Sequence, residues 1–143
     1  MKTIRFFSFL TMLVCALQLS GKDYNASLFG IKSNGTTLNT NSIQKGIDYV
    51  SENGGGRLVF YVGRYLTGTI HLKSNVTIQL EEGAILVGST NPFDYEFMSN
   101  WTALIFAHDQ TNIGITGKGV IDGQGFTVAT NLVELIHNGV VKD

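Results

Sequence analysis

The chain of 143 residues carries 10 Lys and Arg against 11 Asp and Glu, a formal net charge of −1, and 43% of it is apolar. That length allows one modest domain, and the apolar share is that of a globular chain rather than a disordered or membrane-spanning one. Near-neutral charge offers neither nucleic acid nor an anionic membrane surface a basic face to bind.

Residues 1–21 read as a secretory signal peptide: Lys2 and Arg5 precede an apolar run from Phe6 to Leu19, and small residues follow at Ser20 and Gly21. The run is shorter than the roughly 20 residues that span a bilayer. The expected location is therefore outside the cell or in a periplasm, after cleavage. Cys15, the only cysteine, lies inside this segment; Val14 is bulky where a lipidated cysteine prefers a small neighbour, which argues against a lipoprotein. The mature chain then has no thiol, no disulfide and, without Lys2 and Arg5, 8 basic groups against 11 acidic ones. Asn25, Asn34, Asn75 and Asn100 each open an Asn-x-Ser/Thr triplet, which matters only in a eukaryotic secretory pathway.

Residues 22–56 form an entry segment and a helix. Asp23 to Asn39 is polar and glycine-punctuated, with one apolar cluster at Leu28, Phe29 and Ile31 that predicts a short strand. Asn41 with Gln44 three residues on resembles a capping box, and Ile43, Ile47 and Val50 share one helical face. Gly54 is placed to close the last turn. A single amphipathic helix ahead of a strand-rich stretch predicts a cap.

Residues 57–143 switch to a period of two. Leu58, Phe60 and Val62, then Ile70 and Leu72, then Val76, Ile78 and Leu80, then Ile85 and Val87 are the predicted inward sets, with Thr69, His71, Lys73, Thr77 and Gln79 facing out. Ser74 to Ile78 reappears in form as Thr111 to Ile115, an offset of 37. Between them, Thr90 to Trp101 reads as an inserted loop, and removing it leaves a coil of about 25. No helix long enough for a βαβ crossover is visible after Glu52. Hairpin signals are missing from the strand-rich middle, which weighs against an antiparallel sandwich. The architecture expected is all-β, a single-stranded parallel β-solenoid with an N-terminal capping helix, incomplete at its C-terminal end.

Asn39 to Ile47, Gly54 to Gly56, Val59 to Gly68, Ile70 to Leu80, Glu82 to Ala84 and Ile113 to Gly125 resemble the N-terminal coils of the polygalacturonases, glycoside hydrolase family 28. The resemblance covers about Tyr24 to Gly125; many relatives carry proline where this chain has Tyr61. It implies a right-handed parallel β-helix, hydrolysis of α-galacturonide or rhamnogalacturonan links in pectic polysaccharide with inversion, no metal or organic cofactor, and a monomer when complete. The absence of cysteine from the mature chain looks more like the bacterial members.

The family's chemistry sits in an Asn-Thr-Asp, an Asp-Asp, a Gly-His-Gly and an Arg-Ile-Lys motif, none of which occurs here. Asn39-Thr40-Asn41 resembles the first only superficially. Inverting hydrolysis needs two carboxyl groups across a cleft, and Glu81 with Glu82 would point to opposite faces of a continuing strand. The catalytic residues are thus expected beyond this chain, which names no catalytic or metal-binding residue of its own.

The remaining polar and aromatic candidates each have an ordinary structural reading. His71 looks isolated from acids. His108 and Asp109 invite an acid-base or metal role, but sequence neighbours commonly diverge and no third ligand is in view. His137 has no partner, and Asp122 suits a corner where a carboxylate accepts backbone N–H groups. Trp101, Tyr95, Phe93 and Phe97 would either face a sugar ring or anchor the loop. Gly54 to Gly56 lacks the Lys-Ser/Thr of a phosphate loop. Two other functions remain open: a β-helix polysaccharide lyase, which would need a calcium-binding acidic cluster and a basic residue to take a proton, and a non-catalytic β-helix adhesin.

Overall fold

The computed structural model describes residues 21–98 and 101–142; the signal segment lies outside the described residues, apart from Gly21. Strands β1 (Asp23–Asn25), β2 (Gly56–Phe60), β5 (Val76–Leu80) and β10 (Gly114–Gly117) stack in that order as one parallel sheet. A second parallel sheet stacks β3 (Gly63–Thr67), β6 (Ala84–Gly88) and β11 (Val120–Asp122), and a third pairs β4 (Ile70–His71) with β9 (Ile105–Phe106). The chain visits the three sheets in turn and then repeats the circuit one level higher. This is a parallel β-helix.

Coil length follows from the register. Gly56 pairs with Val76, and Gly63 with Ala84. In the next coil Ile78 pairs with Ile115, the offset read from the sequence, while Ile70 pairs with Ile105. The uninterrupted coil, which runs from Gly56 to the residue before Val76, is thus shorter than the sequence spacing predicts. The insertion is correspondingly longer than Thr90 to Trp101: it fills everything from Ser89 to Leu104, where the coil beneath has only Gly68 and Thr69. It holds a 3-10 turn at Pro92–Asp94 and strands β7 (Phe97–Met98) and β8 (Trp101–Thr102), paired antiparallel.

Because pairing is parallel and in register, like positions stack. Tyr24, Leu58, Ile78 and Ile115 form one inward column, and Tyr65, Leu86 and Ile121 another. Leu58, Phe60, Ile70, Val76, Ile78, Ala84 and Leu86 are fully buried. Burying each larger side chain stabilises by about 1.5–3 kcal/mol, and with no disulfide these columns supply the cohesion. Ile115 and Ile121 remain 42% and 43% exposed at the upper end.

Four strand-level readings shift. Val62 is 74% exposed, because β2 ends at Phe60 and the chain bends before β3. In β6 the core residues are Ala84 and Leu86, one position from the expected Ile85 and Val87; a one-residue slip exchanges the two faces of a strand. Thr69 is buried, its hydroxyl donating to the Ala103 carbonyl. At the entry, the strand is β1, and Ala26–Phe29 form a 3-10 turn that leaves Leu28 exposed.

Helix α1 (Thr40–Glu52) lies across the lower end of the stack and buries Ile43, Ile47 and Val50 completely. Gly46 lets the helix pack closely there, since a Cβ would come within 3.1 Å of side-chain atoms of both Leu58 and Phe29. The capping box does not form. The helix starts after Asn39, whose side chain instead accepts from Lys32 N and donates to Lys32 O. Gln44 pairs with both backbone groups of His71, donating to its carbonyl and accepting from its N–H, so it stands in for the strand that β4 lacks on that edge. Gly54 and Gly55 take φ of +92 and +83, and Gly55 N–H closes the helix on the Val50 carbonyl.

The apolar pattern after Glu52 predicts strands alone, yet the structure holds a second helix, α2 (Gly125–His137). It follows β11. Leu132, Val133, Leu135 and Ile136 lie on this helix. Asn131 Nδ2 donates to the Thr90 carbonyl and Gln124 Nε2 to the Gly88 carbonyl, tying the helical segment to the insertion and to the end of β6.

Candidate functional site

The third sheet carries the densest group of chemically able side chains. His71 on β4 and Phe106 on β9 are register partners, and their rings meet edge to face at 5.4 Å. Trp101, delivered by the hairpin, stacks at a tilt 5.9 Å from Phe106, and His108 lies 6.5 Å from the same ring on another side. Phe106 is the hub of this patch. The sequence repeat does not reveal it, because the offset that pairs Ile78 with Ile115 leads from His71 to His108, two residues past Phe106.

His71 is not isolated from acids. Glu96, from the insertion, places Oε2 2.8 Å from His71 Nε2. Its backbone is held in turn, because Glu96 N–H donates to Thr69 Oγ1. Sequence spacing could not show this pair, as two strands and an irregular loop separate its members. His108 and Asp109 do converge, with Nε2 and Oδ2 3.3 Å apart, although both are well exposed. Asp109 takes a left-handed φ of +53, which turns its side chain back toward His108. No group of three His, Cys, Asp or Glu able to hold a metal occurs among the described residues.

The insertion is fastened at several points. Tyr95 Oη donates to the Ser89 carbonyl at 2.6 Å, Ser89 Oγ donates to the Asp94 carboxylate, and Thr69 N–H donates to the Asp94 carbonyl. Burial, and secondarily the neighbouring Asp94 charge, push the Tyr95 phenol above its ordinary range. Hairpin faces divide the aromatics. Phe97 and Thr102 look toward α2, lining with Pro92, Tyr95, Val128 and Leu132 a small apolar cleft, whereas Trp101 turns to Phe106. Of the four loop aromatics, Tyr95 therefore anchors, Trp101 builds the patch, and Phe93 and Phe97 stay largely exposed.

Other candidates fall apart from this cluster. Asp122 Oδ1 accepts from Gln124 N–H at 3.1 Å, the corner role expected of it. Glu81 and Glu82 lie beyond the end of β5, and Glu81 accepts from Gln79 Nε2. His137 is exposed in the last turn of α2. A groove outside the first sheet, lined by Gly54 to Gly56, Arg57, Asn75 and Asn112, holds one cation, which is taken up by Asp23 in a two-pronged contact at 2.6 and 2.8 Å. Among the described acids, Asp23, Asp48, Glu81, Asp94, Glu96, Asp109 and Asp122 are each engaged by their own partner.

No family model matches the chain. An exo-poly-alpha-D-galacturonosidase of Dickeya chrysanthemi is 38% identical over an alignment of 134 residues that covers 82% of this chain and 22% of that protein. Among solved structures, a Parabacteroides merdae protein assigned to the glycosyl hydrolases superposes with a TM-score of 0.81 at 54% identity, covering 85% of this chain and 53% of that one. The family 28 exopolygalacturonase of Yersinia enterocolitica gives a TM-score of 0.63 at 39% identity, over 72% of this chain and 21% of its own. The chain is a relative of the polygalacturonases, and it spans about a fifth of the length of the Dickeya relative. No helix among the described residues is long and apolar enough to cross a membrane.

Proposed function

We propose that this chain is the cap and first coils of a secreted glycoside hydrolase that cleaves α-galacturonide links in pectic polysaccharide with inversion. The observation that carries the reading is the joint likeness, in sequence and in coil geometry, to a galacturonosidase and an exopolygalacturonase. Rhamnogalacturonan is the neighbouring substrate that the same fold would serve. Inversion takes one carboxylic acid to protonate the leaving oxygen and a carboxylate roughly 6.5–9.5 Å away to activate water. The pairing of the acids above with their own partners supports placing those carboxylates on coils outside this sequence. On this reading residues 1–21 direct export, residues 22–56 close the lower end, and the complete enzyme works as a monomer without a cofactor.

The test is release of reducing ends from polygalacturonate. The chain alone should release none, and a polypeptide extended by the missing coils should release them steadily. Vigorous hydrolysis by the 143-residue chain itself would overturn the placement of the carboxylates, and unsaturated products from the extended protein would replace hydrolysis by lyase chemistry.

A further inference from the structure

We propose that His71, Glu96, Trp101, Phe106 and His108 form a binding subsite for uncharged pyranose residues, such as methyl-esterified galacturonate. The inference rests on the pectic reading only for the identity of the polymer. Its chemistry is read from the patch. Trp101 and Phe106 offer ring faces at a mutual tilt of 59°, a shape that takes the C–H face of a sugar ring against one wall. The two imidazole-carboxylate pairs flank Phe106 and supply acceptors and donors for hydroxyl groups.

Charge selects among sugars. Glu96 and Asp109 present carboxylates whose side chains are 62% and 88% exposed, and among the described residues their ion-pair partners are the imidazoles of His71 and His108. The nearest ammonium along β4's continuation, Lys73, turns instead into a groove with Asp48 and Glu52 on α1. An ionised uronate set against this patch meets like charge, whereas its methyl ester does not. At separations of about 4 Å in water that repulsion corresponds to roughly a fivefold loss in affinity.

Trp101 is the only tryptophan in the chain, so its emission reports on this patch alone. Titration of the chain at neutral pH with methyl-esterified oligogalacturonides should shift or quench that emission saturably. Saponified oligomers of equal length should bind about fivefold or more weakly. By calorimetry, Trp101→Ala and Phe106→Ala should each weaken the esterified ligand about 2- to 10-fold, with unchanged circular dichroism showing that the fold survives. Glu96→Gln should raise the affinity for the saponified oligomer and leave that for the ester nearly constant, an effect no purely structural role would produce. The proposal is overturned if neither oligomer binds, if the saponified one binds as well or better, or if the aromatic substitutions leave binding intact. None of these readouts requires hydrolysis, so failure of the hydrolase reading and failure of this one are distinguished.

Discussion

Ile78 and Ile115 occupy successive levels of one inward column, and truncating each tests the stacking itself. Ile78 is fully buried, with Leu58 paired below it and Ile115 above. Ile78→Ala therefore removes apolar surface and leaves a cavity closed on both sides, which costs about 3–4 kcal/mol within the range of about 2–5 for such changes. Ile115 keeps its lower neighbour only, and 42% of its surface is open to water. Its truncation loses less transfer free energy and leaves no closed cavity, so about 1–2 kcal/mol is expected. Urea unfolding followed by circular dichroism gives both values, provided the slope against denaturant is unchanged between variants. As neighbours in one column, the two should also couple by about 0.5 kcal/mol or more in the double variant. Equal costs with no coupling would show that the two residues do not stack, and the coil register would be wrong. In a longer polypeptide whose next coil covers Ile115, the cost there should rise toward that of Ile78.

Gly68 is packed so closely on the Asp94 carbonyl that a Cβ cannot be accommodated. Gly68→Ala should cost about 1–3 kcal/mol by overpacking and lift the insertion, seen as altered Trp101 emission and weaker sugar binding, while a normal emission spectrum would refute the close approach. The Tyr95 phenol is raised in the folded state, so the protein binds that proton more tightly than the unfolded chain does. Its stabilisation is present below the ordinary tyrosine value of about 10 and is lost as pH rises through the folded value. Trp101 emission should accordingly show a step on alkaline titration that Tyr95→Phe removes; Tyr65, also raised by burial, leaves a residual slope in global stability. Asn75 and Asn112 both take left-handed φ, at +66 and +53, and their side chains bond at 3.0 Å one coil apart. Asn75→Ala should destabilise by about 1–2 kcal/mol more than Asn75→Gly in thermal melts, because only alanine is strained there.

What the sequence reveals follows from the range of the forces involved. Strand β5 alternates cleanly because one of its faces meets only the interior, so Val76, Ile78 and Leu80 can be assigned inward without knowing the fold, whereas in β2 Val59 is buried along with Leu58 and Phe60. Strand β6 resists the same reading, since Ala84 to Val87 is apolar without interruption. The structure supplies the reason. The strand's end is covered from outside by the Tyr95 hydroxyl on Ser89, from the insertion, and by the Gln124 amide on Gly88, from the segment after β11. A strand covered on both faces loses its period of two. Helix α2 is by contrast legible in its own spacing, since Val128, Leu132, Leu135 and Ile136 fall at i, i+4, i+7 and i+8, the stripe of a helix and not the alternation of a strand.

The patch on the third sheet is illegible for a different cause. Its members come from β4, β8, β9 and the loops beside them, and they meet only because the short coil set by the Gly56–Val76 and Gly63–Ala84 pairings is interrupted by the segment from Ser89 to Leu104. The solenoid fixes where His71 and Phe106 stand, one above the other. The insertion then decides what surrounds them, carrying Glu96 to His71 and Trp101 to Phe106. If coils of this kind supply rigid, repetitive positions and insertions supply chemistry, exchanging the Ser89–Leu104 segment for a two-residue link like Gly68-Thr69 should preserve the stack yet abolish sugar binding. Loss of the folded stack in that deletion would show instead that the insertion is part of the core, and the separation of scaffold from site would fail.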